Sequence, residues 1–312
     1  MVSNLIKAKG LAVLFIHLML FSGCQARQAP PAKDEAGRMG WSESCVKVEE
    51  MSISVSEADM AMINELVSSI SKEAGKVAEI GDLILSLGEK LLGTPYVAHT
   101  LEVNATEQLV VNLQEVDCTT FVEYILALAL TIEEGKAGFE DYASILACLR
   151  YREGYPNGYA SRLHYFSEWL HLHAQQGLLE LVSEPIGSKP FDSKVSFMTA
   201  HPGAYPQMAD PAILEQMKEV EKNVSALKTN FIPKEDIREV EKYIQNGDII
   251  AFTTDIEGLD VSHTGFAYFR EGRLHLLHAS TRGNSVEVSV VPLSEYLAEM
   301  RRVIGILVAR VK

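Results

Sequence analysis

The pattern of apolar and polar positions divides the chain into a helical part followed by a strand-rich part. Apolar residues recur at helical spacing up to the segment around Leu170. After Gly247 the positions alternate or form short apolar runs, which is typical of strands. The predicted strands cover 248–254, 262–269, 273–279, 285–291 and 303–311. Helices first and strands last predict an α+β domain with an antiparallel meander.

Helix start and stop signals precede the central part of the chain. The run SEAD at 56–59 is typical of a capping box and predicts a helix to about residue 74. A second helix is predicted over 77–92 and ends at the turn residues GTPY at 93–96. A further helix is predicted over 139–150.

Residues 184–245 differ from the rest of the chain. They show little alternation and contain several prolines, followed by charged helical patterns over 211–227 and 234–244. We interpret this segment as an insertion or a lid within one folded domain that spans 45–312.

The stretch VDCTTFVEYILALAL at 116–130 places one cysteine where a helix with two apolar faces begins. Asp117 and Thr119 are residue types whose oxygens cap a helix start. The free N–H groups of the first turn and the helix dipole would favour a thiolate. Cys118 is therefore a candidate nucleophile, and the alternative is a cysteine that simply packs in the core.

A hairpin turn at 270–273 determines which histidines share a face of the predicted sheet. If the two ends of this turn pair, Gly265 faces His278 and Tyr268 faces His275. Since side chains alternate along a strand, the first pair and the second pair lie on opposite faces.

His263 shares the face of His278 and is its diagonal neighbour, at a backbone separation of roughly 7–8 Å. Gly265 leaves room beside the two rings. This arrangement suits a thiol protease mechanism, in which His263 takes the Cys118 proton and His278 orients the His263 ring. His275 is then structural. The alternatives are zinc held by the same cysteine and two histidines, without any paired HxxxH or CxxC spacing, and two histidines that merely pack in the sheet.

The N-terminus predicts export. Residues 1–23 contain Lys7 and Lys9, then an apolar run over 11–21 and small residues, as in a secretion signal. The ending LFSGC resembles a lipobox, in which Cys24 is lipidated and becomes the first mature residue. Ordinary cleavage and an uncleaved anchor are the alternatives. Residues 24–44 are rich in Ala, Pro, Gly and charges and are expected to form a flexible tether.

Charge and cysteine content limit the partners. The formal charge is −14, and loss of the two lysines in the signal makes it −16, which argues against binding to nucleic acid or anionic lipid. Apart from Cys24 and Cys118, only Cys45 and Cys148 remain, too few for a disulfide-built fold. Whether these two pair stays open.

The motifs DCTTFV at 117–122, GDII at 247–250, HTG at 263–265 and HAS at 278–280 together resemble the NlpC-type cell-wall cysteine peptidases. The resemblance implies a papain-like fold, with N-terminal helices packed on a C-terminal antiparallel sheet. It also implies Cys118 as the nucleophile, His263 as the base and His278 as the orienting residue. Tyr96 resembles the tyrosine that this family places near the oxyanion. No cofactor is expected.

The Thr-Thr pair after the cysteine, the run SRLHY at 161–165 and the long insertion are more similar to an N-acetylmuramoyl-L-alanine-amidase-like branch. This branch, found in Gram-negative exported proteins, implies hydrolysis of short muropeptides between the sugar lactyl group and L-alanine. Together with the lipobox, it predicts a lipid-anchored protein that faces the periplasm. The alternatives are an endopeptidase that cuts between D-glutamate and the diamino acid, and an inactive lipoprotein that binds muropeptides.

Four further residues are candidates for substrate binding. Arg162 and His164 fall outside the apolar stripe of a helix predicted to begin near 161–165, so they are either solvated or bind a carboxylate or sugar. Ser280 belongs to the HAS motif. Arg282 follows His278 by four residues and could pair with a stem-peptide carboxylate, or it is a solvated loop arginine.

Overall fold

The computed structural model describes Trp41 and residues 45–73, 79–192 and 194–312. The predicted signal peptide at 1–23, the lipidation site Cys24 and the predicted tether at 24–44, apart from Trp41, lie outside the described residues. None of the helices in the described ranges is long and apolar enough to span a membrane.

Most helices precede the main strands. The described helices are α1 (Glu57–Glu73), α2 (Ile80–Lys90), α3 (Cys118–Glu133), α4 (Phe139–Arg150), α5 (Phe166–Gln175), α6 (Ser183–Ile186), α7 (Phe197–Ala200), α8 (Pro211–Ser225), α9 (Ile237–Val240) and α10 (Leu293–Ala298). The four helices predicted before residue 151 are confirmed within a few residues at each end.

The strands form one large sheet and one small pair. They are β1 (Ile53–Val55), β2 (Leu109–Val111), β3 (Leu179–Leu181), β4 (Lys189–Phe191), β5 (Thr229–Pro233), β6 (Ile249–Thr254), β7 (Val261–Arg270), β8 (Arg273–Ser280), β9 (Ser285–Val288) and β10 (Val303–Val311). The large sheet has the order β4-β5-β10-β6-β7-β8-β9, with β3 also on β10. Its pairs are antiparallel, so the predicted α+β class is confirmed.

The central helix α3 is buried on all sides, as its two apolar faces predict. Every residue from Thr120 to Ile132 is buried. Phe121 packs edge-to-face on Phe266 of β7, with ring centroids 5.8 Å apart. The helix therefore covers one face of the sheet, and the opposite face has its own apolar core, to which α10 contributes.

Residues 184–245 are more than the predicted insertion or lid. They supply β4 and β5, and β5 pairs with β10 in the centre of the sheet. Two of its prolines lie in strands, Pro190 in the edge strand β4 and Pro233 as the last residue of β5, which are positions where proline is tolerated. The segment is thus integrated into the domain, and its removal would expose the edge of β10.

Cys45 and Cys148 form a disulfide with a Cα–Cα distance of 5.6 Å. The bridge ties the beginning of the described chain to α4 across a sequence separation of 103 residues. This settles the pairing that the sequence left open.

Candidate active site

Cys118 is the first residue of α3, and its position is fixed by a capping box. The Asp117 carboxylate accepts a hydrogen bond from the Thr120 N–H at 2.8 Å, and the Thr120 hydroxyl accepts one from the Asp117 N–H at 2.9 Å. The predicted cap Asp117 is therefore confirmed, but Thr120 completes the box where we expected Thr119. The two bonds satisfy orphan donors of the first turn and hold the cysteine at the helix start.

The thiol is protonated, contrary to the prediction from the helix start. Cys118 is a free, partly buried cysteine. Burial and then the Asp117 carboxylate raise the pKa of its thiol to about 12, although hydrogen bonds from Thr264 and Thr119 act in the opposite direction. Desolvation and a carboxylate one residue away thus outweigh the helix dipole. Any nucleophilic role of Cys118 needs a base that removes the proton during the reaction.

The contact with Thr264 brings the thiol to strand β7. The Thr264 backbone hydrogen-bonds Cys118, and its side chain is anchored by a 2.9 Å bond to the Ile250 carbonyl of β6. His263 is the adjacent residue in β7. The cysteine of α3 therefore meets β7 one residue along from His263, and a direct contact between the thiol and the His263 ring stays a prediction.

The two histidines form a direct pair. His263 Nε2 and His278 Nδ1 are 2.6 Å apart, and the ring centroids are 4.9 Å apart at 88°. The predicted hairpin register is confirmed, since Tyr268 pairs with His275 and Arg270 with Arg273. This contact uses Nε2 of His263, so Nδ1 is available for a different partner.

Gly265 creates the space for this pair. A Cβ at this position would lie 2.7 Å from the Leu277 carbonyl oxygen and 2.8 Å from the His278 Cβ. Real Cβ atoms do not approach other atoms this closely, so only glycine lets β7 pass beside His278. The room that the sequence predicted beside the rings is present.

Both imidazoles are neutral. Burial lowers the pKa of His263 to about 4. Burial and then repulsion from a protonated His263 lower the pKa of His278 to about 3. The resting site accordingly contains a neutral thiol and a neutral imidazole pair, rather than a thiolate–imidazolium ion pair.

Tyr96 lies at the same site. Its N–H donates to the Asn284 carbonyl, and it forms a bridge with Val116, two residues before the cysteine. Burial raises the pKa of Tyr96, and the negative charges of a Cys118 thiolate and of the Asp117 carboxylate would raise it further. The phenol is thus a proton donor close to the thiol, and its oxyanion role stays a prediction.

Arg162 is buried and paired, so the prediction that it is solvated is wrong. It is 6% exposed. Its guanidinium donates to Glu102 at 2.6 Å and to Glu107 at 2.8 and 3.0 Å. Binding of a substrate carboxylate by Arg162 stays a prediction, and such a ligand would compete with two glutamates already in place.

His164 lies outside a helix, because α5 begins only at Phe166. Its Nε2 is 2.8 Å from the Tyr159 carbonyl oxygen, and its ring lies 4.4 Å from the Tyr159 ring. Burial, followed by the charge of Arg162, lowers the pKa of His164 to about 3. It is neutral, and its predicted contact with substrate remains untested.

Ser280 and Arg282 follow His278 at the end of β8. Ser280 is fully buried, and its hydroxyl accepts a hydrogen bond from the Gly283 N–H at 2.9 Å, so it stabilises the turn. Arg282 is exposed, lies 5.3 Å above the Tyr296 ring and pairs with Glu299 at 3.4 Å. Arg282 is the better placed of the two predicted arginines for a ligand in solvent.

The histidine geometry does not fit the zinc alternative. Two nitrogens bound to one tetrahedral zinc would be roughly 3.3 Å apart, given Zn–N bonds of about 2.0–2.1 Å. His263 and His278 face each other at 2.6 Å, a hydrogen-bond distance. Within the described ranges, no group of three or more His, Cys, Asp or Glu side chains is placed to hold a metal ion.

Sequence reasoning missed two contributors. The Thr264 backbone contact with the thiol depends on how α3 packs on β7, and no pattern in the sequence predicts it. Tyr296 of α10, whose ring lies 5.7 Å from that of His278, is 18 residues further along the chain. The Thr120 cap could have been found, since it stands three residues after Asp117, the spacing of a capping box.

A family model and a solved structure with the same description both match this chain. A family model described as N-acetylmuramoyl-L-alanine amidase-like (AmiA-like) matches residues 86–306. A crystal structure of an N-acetylmuramoyl-L-alanine amidase from Bacteroides uniformis is 41% identical with a TM-score of 0.72, and the match covers 75% of this chain and 99% of that one.

Two other structures are similar. A Bacteroides fragilis protein provisionally named a xylanase is 44% identical with a TM-score of 0.68, over 72% of this chain and 99% of that one. A Legionella pneumophila protein, 22% identical, shares the fold with a TM-score of 0.62 over 82% of this chain and 95% of that one. A comparison with curated proteins found no match. From the family model and the B. uniformis structure, the chain belongs to the N-acetylmuramoyl-L-alanine amidase-like family.

Proposed function

We propose that this protein is a cysteine amidase that hydrolyses peptidoglycan fragments between N-acetylmuramic acid and L-alanine. The observation that carries the proposal is the meeting of Cys118 with β7 at Thr264, beside the His263–His278 pair. A thiol, an imidazole base and a second imidazole that orients it are the groups that acyl transfer by a cysteine requires. We place this site in the NlpC-type, papain-like arrangement on the same grounds.

The proposed reaction starts from neutral groups. His263 Nδ1 takes the Cys118 proton while the sulfur attacks the carbonyl carbon of the lactyl amide. The imidazolium donates from Nε2 to His278 Nδ1, which stabilises its charge and holds the ring in place. The carbonyl oxygen becomes an oxyanion near the start of α3, where the Cys118 N–H and the Tyr96 hydroxyl can donate to it.

The intermediate then collapses to a thioester. The C–N bond breaks, and His263 gives its proton to the departing amino group of L-alanine. A water molecule then attacks the thioester while the same imidazole takes one of its protons, and His263 returns that proton to the departing Cys118 sulfur. The second water proton leaves the muramic acid carboxyl group as it ionises and passes to the released L-alanine amine. Protons balance, because each half of the reaction returns His263 to its neutral state.

The site chemistry favours an amidase over a glycosidase, which the name of the B. fragilis structure raises. Glycoside hydrolysis requires two carboxyl groups roughly 5–10 Å apart across the sugar bond. The groups around Cys118 are a thiol, two imidazoles and a phenol. The neighbouring Asp117 carboxylate is engaged in capping α3.

Two alternatives use the same fold. An endopeptidase that cuts between D-glutamate and the diamino acid would need the same three groups. An inactive muropeptide-binding lipoprotein would not need an intact thiol and histidine pair, which this chain retains. We propose that the protein is exported, lipid-anchored through Cys24 and exposed to the periplasm, on the strength of the signal and lipobox pattern at 1–24.

Mass spectrometry of the products from defined muropeptides tests the proposal. The wild-type protein is incubated with a muropeptide, with the free stem peptide and with a xylo-oligosaccharide. We expect a stem peptide that begins with L-alanine, and we expect it only in the incubation with the muropeptide. Cleavage of the free stem peptide would favour the endopeptidase, and cleavage of the oligosaccharide would overturn the amidase.

A further inference from the structure

The histidine pair and two further aromatic rings form a packed cluster of four rings. Between ring centroids, Phe252 of β6 lies 5.3 Å from His263, which lies 4.9 Å from His278. The His278 centroid lies 5.7 Å from that of Tyr296 of α10. The rings of Tyr296 and Phe252 also pack on each other, with centroids 6.5 Å apart. Tyr296 thus belongs to the same packed cluster as the two imidazoles, although α10 is remote from them in sequence.

One polar atom in this cluster has no hydrogen-bond partner. His278 is fully buried, and its Nδ1 is taken by His263. Its other nitrogen, Nε2, is a buried atom without a partner within the described residues. Tyr296 is only partly buried, so its ring lies between the enclosed imidazole and the solvent on the α10 side.

The proton position on His278 decides whether His263 can act as a base. If the proton is on His278 Nε2, then Nδ1 accepts from His263 Nε2–H, and His263 Nδ1 is a free acceptor for the thiol proton. If the proton moves to His278 Nδ1, then His263 Nε2 must accept, and the proton of His263 occupies Nδ1. That second arrangement cannot take a proton from Cys118.

The aromatic contact distinguishes the two arrangements. The rings of His278 and Tyr296 are nearly perpendicular, at 81°. In such a contact the positive edge of one ring meets the negative face of the other, so an N–H edge is attracted and a lone pair is not. A water molecule that donated to Nε2 would instead stabilise the unproductive arrangement, but Nε2 is buried.

We propose that the Nε2 edge of His278 meets the face of the Tyr296 ring, and that Tyr296 is a positioning residue that shields this nitrogen and keeps the proton of His278 on it. This inference rests on the proposed function, because it concerns the same Cys118–His263–His278 set. The Tyr296 ring is itself held by Arg282, 5.3 Å above it, which pairs with Glu299.

The test compares Tyr296→Phe and Tyr296→Leu with the wild-type protein. The phenylalanine variant keeps the ring, so its kcat should stay within about threefold. The leucine variant keeps most of the volume but loses the aromatic face. Its kcat should fall about 10–100-fold at nearly unchanged KM, below the roughly 10⁴-fold loss known for a fully wrong tautomer. Tyr268→Leu is the matched control, because Tyr268 lies on the opposite face of the same hairpin and its hydroxyl bonds Glu89.

The second measurement needs no substrate. Long-range ¹H–¹⁵N spectra of the folded protein identify which imidazole nitrogen carries the proton. We expect Nε2 of His278 to be protonated in the wild-type and Tyr296→Phe proteins, and a mixture of tautomers in Tyr296→Leu.

A wild-type His278 protonated at Nδ1 would overturn the inference, as would one unchanged tautomer in all three proteins. Equal losses of kcat in the phenylalanine and leucine variants would also overturn it, since the hydroxyl would then be the important group. If the wild-type protein cleaves no muropeptide but the spectra agree with expectation, the proposed function fails and the positioning role stands.

Discussion

Replacing Gly265 by alanine inserts one methyl group between the two strands that carry the histidines. Its Cβ would lie 2.7 Å from the Leu277 carbonyl oxygen and 2.8 Å from the His278 Cβ. Favourable contacts between such atoms begin near roughly 3.5 Å, so β8 would have to move by about 0.7–0.8 Å. The His263–His278 hydrogen bond of 2.6 Å would then stretch past the limit of about 3.2 Å.

We expect the Gly265→Ala protein to lose about 100-fold in kcat, the loss typical of a misplacement of about 1 Å. Overpacking should also reduce the free energy of unfolding by about 1–3 kcal/mol. Steady-state kinetics on a defined muropeptide and urea unfolding measure the two effects on the same preparation.

Alanine substitutions at two other glycines serve as controls that distinguish a loss of stability from a loss of kcat. In Gly305→Ala the new methyl would overlap the Ile232 carbonyl oxygen where β10 passes β5, two strands away from β7. This variant should be destabilised but keep kcat in its folded fraction. Gly203→Ala meets no atom within 4 Å and should change neither quantity. A folded Gly265→Ala protein with kcat within about twofold of wild type would refute the reasoning.

Three further predictions follow from the site and the disulfide. The kcat of the wild-type protein should be independent of pH around neutrality and fall as the pH drops through about 4 in a pH–rate profile. The reason is that burial lowers the pKa of His263 to about 4, and its protonated ring cannot act as a base. Alkylation of Cys118 at neutral pH should be slow, because the pKa of its thiol is about 12. His278→Ala should reduce kcat by about 10²–10⁴-fold, whereas His275→Ala, whose Nδ1 contacts a backbone carbonyl on the opposite face, should mainly lower Tm; equal kinetic losses in two folded variants would contradict this. Cys148→Ser should lower the free energy of unfolding by about 2–5 kcal/mol in urea titrations, because it opens a bridge across 103 residues, and an unchanged midpoint would show that the bridge contributes nothing.

The parts of the site that depend on local chemistry could be predicted from the sequence. The turn at 270–273 fixes the register of its hairpin, and the register places His263 and His278 on one face. The start of α3 followed from Asp117 before a long apolar run. In both cases the determining residues are within a few positions of each other or are linked by a short turn.

Features that depend on long-range packing could not be predicted. Arg162 looked solvated because its partners, Glu102 and Glu107, are 60 and 55 positions away. The thiol pKa of Cys118 follows the degree of burial, which a helix-start pattern does not contain.

The contribution of 184–245 to the sheet was likewise hidden. The strand β5 is short and ends in Pro233, so its sequence lacks the alternation of a central strand. Its pairing is determined by β10, which is more than 60 residues further along the chain.

The measurement that tests the central claim most directly is the rate at which the Cys118→Ala protein releases the stem peptide from a muropeptide that the wild-type protein cleaves. Removal of a nucleophile from such a set typically costs a factor of about 10⁴–10⁶ in kcat. We expect no detectable stem peptide from a Cys118→Ala protein whose unfolding transition matches that of the wild type. Release at a rate close to that of the wild-type protein would contradict the cysteine mechanism.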